Sequence, residues 1–214
     1  MNTSTPLAIG GLYAITHGPR DDLLDVVAQA LAGGARLLQY LDEGSGDARR
    51  HAEATAILQL CRSYGVPLII HEDLELARAV GADGIHLAHS VDGIMAAKAG
   101  LGPAAIVGVA CRDSLEKARV AVQAGANYVS FGVMFPSPTK PKAAIAPIAL
   151  LRQSAALGVA TVAIGGITPE NAALLIEAGA DYIASISSLF GASDVRHAAQ
   201  RFARLFPPVQ PPST

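Results

Sequence analysis

Three sets of residues, each drawn from one or two stretches of the chain, could do chemistry. Phe135-Pro136-Ser137-Pro138-Thr139-Lys140 sets two hydroxyls and one ammonium on a backbone stiffened by two prolines. A pre-set arrangement of that kind suits an anionic ligand. Gly165-Gly166 and Ser187-Ser188 each follow a short apolar run. Backbone N–H groups in such loops hold phosphate, and glycine lets the backbone approach it closely. His71-Glu72 and His89 bring two imidazoles and a carboxylate to similar positions. That set could serve as general acid and base or contribute to a metal site, and no tight ligand spacing chooses between the two. Each set also has a plainer reading. Gly165-Gly166 can be a tight turn, residues 135–140 a Pro-rich surface loop, and His86 a hydrogen-bonded core histidine. His51 and His197 read as surface residues on helices. Cys111 beside Arg112 could be a thiolate, but an inert buried thiol is the better reading.

These residues need elements to position them. Short apolar runs at 12–16, 36–41, 67–71, 84–87, 105–110, 128–132, 161–164 and 182–186 read as strands buried on both faces. Longer Ala-rich runs at 21–32, 47–64, 74–80, 93–99, 114–124, 145–157, 169–178 and 195–206 read as helices. Ser114 and Asp194 are placed to cap their helices, and Thr168 precedes Pro169 at an expected first helical position. A Gly-Ala pair recurs before a strand at Gly34-Ala35, Gly81-Ala82, Gly125-Ala126 and Gly179-Ala180. Glycine there accommodates a left-handed helix end. Alternation of this kind predicts an α/β fold, a single (β/α)8 TIM barrel over residues 1–206, with 207–214 a disordered Pro-rich tail. A doubly wound sheet would carry a Gly-rich phosphate loop after its first strand, and Thr16-His17-Gly18-Pro19-Arg20 is not one. In the barrel, chemistry belongs at the C-terminal ends of the strands, where all three sets fall.

The composition narrows the function classes. The chain has 214 residues, 51% hydrophobic and 16% charged, with a formal net charge of −2. That excludes a disordered chain and gives no electrostatic case for a nucleic-acid or membrane-surface partner. No uncharged apolar run reaches the ~18 residues of a membrane span. Residues 1–6 lack the basic and apolar pattern of a signal peptide. Cys61 and Cys111 are too few for a disulfide framework, so a reduced cytoplasmic setting is expected. Whether the chain works alone or as a homo-oligomer is left open.

Taken in order, the motifs resemble thiamine phosphate synthase. Those that carry the resemblance are Leu12 to Thr16, Gly33-Gly34-Ala35 through Gln39, Ala82-Asp83-Gly84-Ile85-His86-Leu87, Phe135 to Lys140, Ala163 to Thr168 and Ala178-Gly179-Ala180-Asp181. The resemblance covers roughly residues 10–191 and implies a (β/α)8 barrel. It also implies a reaction that joins hydroxymethylpyrimidine diphosphate to thiazole phosphate, releases diphosphate and uses Mg²⁺. The related thiazole tautomerases share the thiazole phosphate site. By this resemblance Ser137, Thr139, Gly165, Gly166, Ser187 and Ser188 bind the phosphorylated thiazole, or thiamine phosphate. Lys140 binds diphosphate, Gln39 orients the substrate, and His71 stands among the catalytic positions. Glu72 and Asp92 are the metal candidates.

The match is uneven. Ser188 stands where the family has a small Ala or Gly, which is harmless if the donor is a backbone N–H. On the diphosphate side the family reads Gln-x-Arg-x-Lys; here the run is Gln39-Tyr40-Leu41-Asp42-Glu43. The family's Asn-Asp is His71-Glu72, its second metal Asp is Val91 with Asp92 one place later, and its Ser after the fifth strand is Ala110. The tautomerases' catalytic His falls at Arg112, so their acid–base chemistry does not carry over. A charged hydrogen bond is worth ~1.5–3 kcal/mol and ~1.4 kcal/mol is tenfold in rate. Losing three or four therefore predicts transfer slowed by several powers of ten. The alternative is a non-catalytic or repurposed relative that keeps the thiazole phosphate site.

Overall fold

A computed structural model describes residues 7, 10–88, 90–136 and 143–207. Eight parallel strands close in sequential order into a barrel. They are β1 (Gly11–Ile15), β2 (Ala35–Tyr40), β3 (Leu68–His71), β4 (Gly84–Ala88), β5 (Ile106–Arg112), β6 (Tyr128–Phe131), β7 (Ala160–Ile164) and β8 (Tyr182–Ser185). Helices α1 (Leu23–Ala32), α2 (Asp47–Tyr64), α3 (Leu74–Val80), α4 (Val91–Leu101), α5 (Leu115–Gln123), α6 (Ala149–Ser154), α7 (Ala172–Glu177), α8 (Ser187–Phe190) and α9 (Val195–Ala203) pack outside. The single (β/α)8 barrel expected from the sequence is the fold.

Strand alternation divides the core in two. Tyr13, Ile15, Leu37, Ile69, Tyr128, Val162 and Tyr182 fill the barrel interior. Their neighbours Leu12, Ala14, Leu38, Leu68, Ile70, Val129 and Ile183 face the helices. Period-two alternation with both faces apolar is what a buried parallel strand requires.

The Gly-Ala repeat has a third member. After Gly81-Ala82, Gly125-Ala126 and Gly179-Ala180 come Asp83, Asn127 and Asp181. Asp83 accepts from Leu68 N–H at 2.8 Å, Asn127 from Val107 N–H at 2.9 Å and Asp181 from Thr161 N–H at 2.7 Å. Each side chain thus satisfies a backbone donor in the first two residues of the preceding strand. The fourth copy ends in Arg36, whose guanidinium donates to the carbonyls of Gly10 and Pro207 at the bottom of the barrel.

Helix ends differ from the sequence reading in places. α6 begins at Ala149, not 145, because Pro147 disfavours helical backbone at the residue before it. α7 begins at Ala172, after a turn in which Thr168 N–H donates to Asn171 Oδ1. α4 runs over Val91–Leu101, longer than expected, because the Ser90 hydroxyl accepts from Gly93 N–H and caps it. Ser114 and Asp194 cap α5 and α9 as expected. The short α8 was not foreseen. Residues 208–214, read as a tail, lie outside the described residues. No helix among the described residues is long and apolar enough to cross a membrane.

Candidate active site

A buried polar chain crosses the mouth of the barrel. Tyr13 on β1 donates its hydroxyl to Gln39 Oε1 on β2 at 2.7 Å, and the Tyr13 and Tyr128 hydroxyls lie 2.8 Å apart. His86 Nδ1 is 3.0 Å from the Tyr128 hydroxyl, and Gln39 Nε2 is 3.2 Å from His71 Nδ1. Donor counting orders these contacts. Tyr13 spends its proton on Gln39, so Tyr128 donates to Tyr13 and must accept from His86. His86 therefore carries its proton on Nδ1. The Gln39 amide nitrogen can only donate, so it gives its hydrogen to His71 Nδ1. Burial, and then the nearby His71, push the His86 pKa down to about 3, so its ring is neutral at ordinary pH. Burial raises both Tyr13 and Tyr128. His86 is thus the hydrogen-bonded core histidine of the plainer reading.

Three rings form a ladder. Tyr128 and His86 are near parallel with centroids 5.5 Å apart, and His86 and His71 follow at 6.2 Å, both pairs at 19°. Gly108 makes room for its inner end: a Cβ there would sit 1.8 Å from Tyr128 Cζ.

The ladder ends at a cavity of about 480 Å³ between the ends of β2 and β3. Asp42, Glu43, Glu72, Asp73 and Glu75 line it beside His71 and Arg50. Arg50 is engaged by Asp73 at 2.8 Å. Asp42 is only 6% exposed. Its Oδ1 accepts from the N–H groups of Gly44 and Ser45, while Oδ2 has no partner. Ser45 Oγ and Arg50 Nε are likewise buried and unpartnered, so three of the four such atoms among the described residues lie beneath the surface of residues that line this cavity. The fourth is Ser185 Oγ at the end of β8.

The metal candidates stand apart from any cage. Glu72, with φ 59°, turns its carboxylate onto the Ala88 N–H, and Asp92 is exposed in the first turn of α4. Among the described residues no three His, Cys, Asp or Glu side chains converge on a metal-sized position. This donor set fits Mg²⁺ only in the manner of phosphoryl sites, where one or two carboxylates share the ion with substrate oxygens and water.

Across the mouth, the β6 and β7 loops are zipped together. Met134 N–H donates to Ile164 O and Phe135 N–H to Gly165 O, both at 3.0 Å. A Cβ on Gly166 would meet Phe135 O at 2.3 Å, and its φ is +66°. Both glycines therefore admit the β6 loop, a reason separate from approach to a ligand. The N–H groups of Gly166, Ser187 and Ser188 donate to no acceptor among the described residues. Ser187 is exposed and Ser188 half-buried at the start of α8. Ser137, Thr139, Lys140 and His89 lie outside the described residues. Cys111 is buried with its thiol pushed up to about 12 by burial, an inert thiol as read from the sequence.

Residues 12–189 match the sequence pattern of the family described as thiamine monophosphate synthase. The chain belongs to that family. A thiamine-phosphate synthase of Thiobacillus denitrificans is 52% identical over 200 residues, spanning 92% of this chain and 95% of that one. One of Chromobacterium violaceum is 48% identical, over 94% and 98% of the two chains. The solved thiamine phosphate pyrophosphorylase from Pyrococcus furiosus superposes with a TM-score of 0.81 at 32% identity, over 91% of this chain and 94% of that chain.

Within the thiamine monophosphate synthase barrel, of the residues named from the sequence, Gln39, His71 and Glu72 stand at the ends of β2 and β3 and both glycines at the end of β7. Sequence reasoning missed the roles of Tyr13 and Tyr128, which fix the Gln39 amide from inside the barrel. Their signal was available: tyrosines at inward strand positions, opposite a glycine at 108. It also missed that the carboxylates of two separate loops share one cavity.

Proposed function

We propose that this protein is a slow thiamine phosphate synthase, joining hydroxymethylpyrimidine diphosphate to thiazole phosphate. The observation that carries the reading is the Gln39 amide, held at its oxygen by Tyr13 and at its nitrogen beside His71, at the strand ends of a barrel of this family. An amide fixed at both atoms presents one donor–acceptor order to a flat heterocycle. In the reaction, the bond from the pyrimidine methylene to the diphosphate oxygen breaks, and its electron pair leaves with diphosphate. The thiazole nitrogen gives its lone pair to the methylene carbon. Gln39 orients the pyrimidine, and Ser137, Thr139 and the N–H groups of Gly165, Gly166, Ser187 and Ser188 hold the thiazole phosphate. Lys140 takes the leaving diphosphate. Glu72 and Asp92 are the residues that would hold Mg²⁺, which when bound neutralises charge on the leaving group. A cytoplasmic setting accords with this reading and with the free buried thiols.

Leu41 and Glu43 stand where the family carries Arg and Lys, and the cavity beside them is acidic. That is why the reaction is read as slow. The same observation favours a second reading, in which the protein binds thiazole phosphate without transfer. A coupled assay with both substrates and Mg²⁺ decides between them. Turnover several powers of ten below a thiamine-phosphate synthase such as that of Thiobacillus denitrificans supports the first. No turnover at high enzyme concentration leaves the second.

A further inference from the structure

We propose that His86 on β4 is a positioning residue for Gln39 on β2: the ring nitrogen of His86 that carries the proton decides which way the Gln39 amide faces, through the hydroxyls of Tyr128 and Tyr13. The inference deepens the reading of Gln39 given above and rests on it.

Continuity is the first observation. Gln39 Oε1, the Tyr13 hydroxyl, the Tyr128 hydroxyl and His86 Nδ1 follow one another at 2.7, 2.8 and 3.0 Å. Burial is the second. Tyr13 and Tyr128 are 1% and 0% exposed, so bulk water reaches neither hydroxyl, and a buried contact with two hydrogens or none is costly. The third is the donor count. Each hydroxyl has one hydrogen, so only two orders give every contact one hydrogen. In the order described above, all hydrogens point from His86 toward Gln39. In the reverse order His86 carries its proton on Nε2 and Nδ1 accepts from Tyr128. Tyr128 then accepts from Tyr13, and Tyr13 accepts from a Gln39 amide turned through half a circle. The neutral His86 ring, held so by burial and the nearby His71, has one N–H and one bare nitrogen to exchange. Its plane is fixed by the Tyr128 ring at 19°, for which Gly108 makes room. The first order sets a Gln39 donor beside His71 and leaves His86 Nε2 an acceptor. The reverse order exchanges both at once. The ends of the chain, two strands apart, therefore act as one recognition unit.

The test is the tautomer of His86, read on the full chain from long-range proton–nitrogen NMR spectra of histidine-labelled protein, with His86→Gln to assign the signal. The unmodified protein is expected to carry the proton on Nδ1. Gln39→Leu removes the acceptor of the Tyr13 hydrogen, so the chain should reverse and most of the His86 population should move to Nε2–H. Gln39→Glu keeps an acceptor there and should keep Nδ1–H. Tyr13→Phe frees the Tyr128 hydrogen for His86 and should move the tautomer as Gln39→Leu does. It keeps the proposal testable if Gln39→Leu does not fold. In kinetics, Tyr13→Phe and Tyr128→Phe should raise the KM for hydroxymethylpyrimidine diphosphate by about tenfold and leave that for thiazole phosphate within about twofold. An Nε2–H tautomer in the unmodified protein, a tautomer unchanged in both Gln39→Leu and Tyr13→Phe, or an equal rise in both KM values overturns the proposal. The spectra need no substrate, so absence of turnover in the unmodified protein counts against the synthase reading alone.

Discussion

Gly108 and Tyr128 share one volume: a Cβ at residue 108 would lie 1.8 Å from Tyr128 Cζ and 2.3 Å from its hydroxyl oxygen. The absence of a side chain on β5 is therefore what allows a ring on β6 to lie across the barrel and reach both Tyr13 and His86. Gly108→Ala should displace that ring, with an overpacking cost of about 1–3 kcal/mol. Urea unfolding measures the loss. The KM for hydroxymethylpyrimidine diphosphate should rise in the same variant, because Gln39 loses its anchor.

The neutrality of His86 makes stability depend on pH. Its folded pKa of about 3 lies below the ~6.5 of an unfolded histidine. The unfolded chain therefore binds the extra proton first as pH falls. The contribution is fully present above about pH 6.5 and is lost progressively as pH drops toward 3. Unfolding free energies measured from about pH 7 to pH 4 should decline, and His86→Gln should flatten part of that decline. An equal slope in the variant would show that other groups carry it.

Gly166→Val should abolish binding of thiazole phosphate. The new side chain would need a φ of +66° and would strike the Phe135 carbonyl, so the β6 loop and the backbone donors beside it shift together. Ser187→Ala should change affinity by no more than a few-fold if the donor is the backbone N–H. Calorimetry on the two variants, with circular dichroism to confirm folding, separates the effects.

Restoring the cations should restore the grip on diphosphate. Leu41→Arg and Glu43→Lys add charged contacts worth ~1.5–3 kcal/mol each, and Val91→Asp adds a carboxylate for the Mg²⁺ that accompanies the diphosphate. Diphosphate affinity with Mg²⁺ should rise by at least about a hundredfold, and turnover should rise with it.

The barrel was legible because its signals are local and repeated. Eight short apolar runs alternate with Ala-rich helices, and the Gly-Ala pairs mark where each helix turns back. The Asp or Asn that follows three of those pairs was overlooked, because its work is a hydrogen bond to a strand many residues earlier. In the candidate site, the β7 glycines and Gln39 could be found from motif and position. The acidic cavity could not. Asp42-Glu43 and Glu72-Asp73 sit about a helix and a strand apart in sequence and meet only because β2 pairs with β3. The Tyr13–Tyr128 contact depends on closure of the barrel, over 115 residues of separation, and no local pattern encodes it.

The two halves of the site differ in their grip on phosphate, and a single calorimetric comparison on the unmodified protein tests that difference. Thiazole phosphate and Mg²⁺-diphosphate are titrated separately under identical salt. Thiazole phosphate is expected to bind at about micromolar and Mg²⁺-diphosphate not below about millimolar, a gap of roughly 4 kcal/mol. Micromolar binding of Mg²⁺-diphosphate would contradict it, because the side chains of residues 41, 43 and 91 would then not limit the grip on the leaving group.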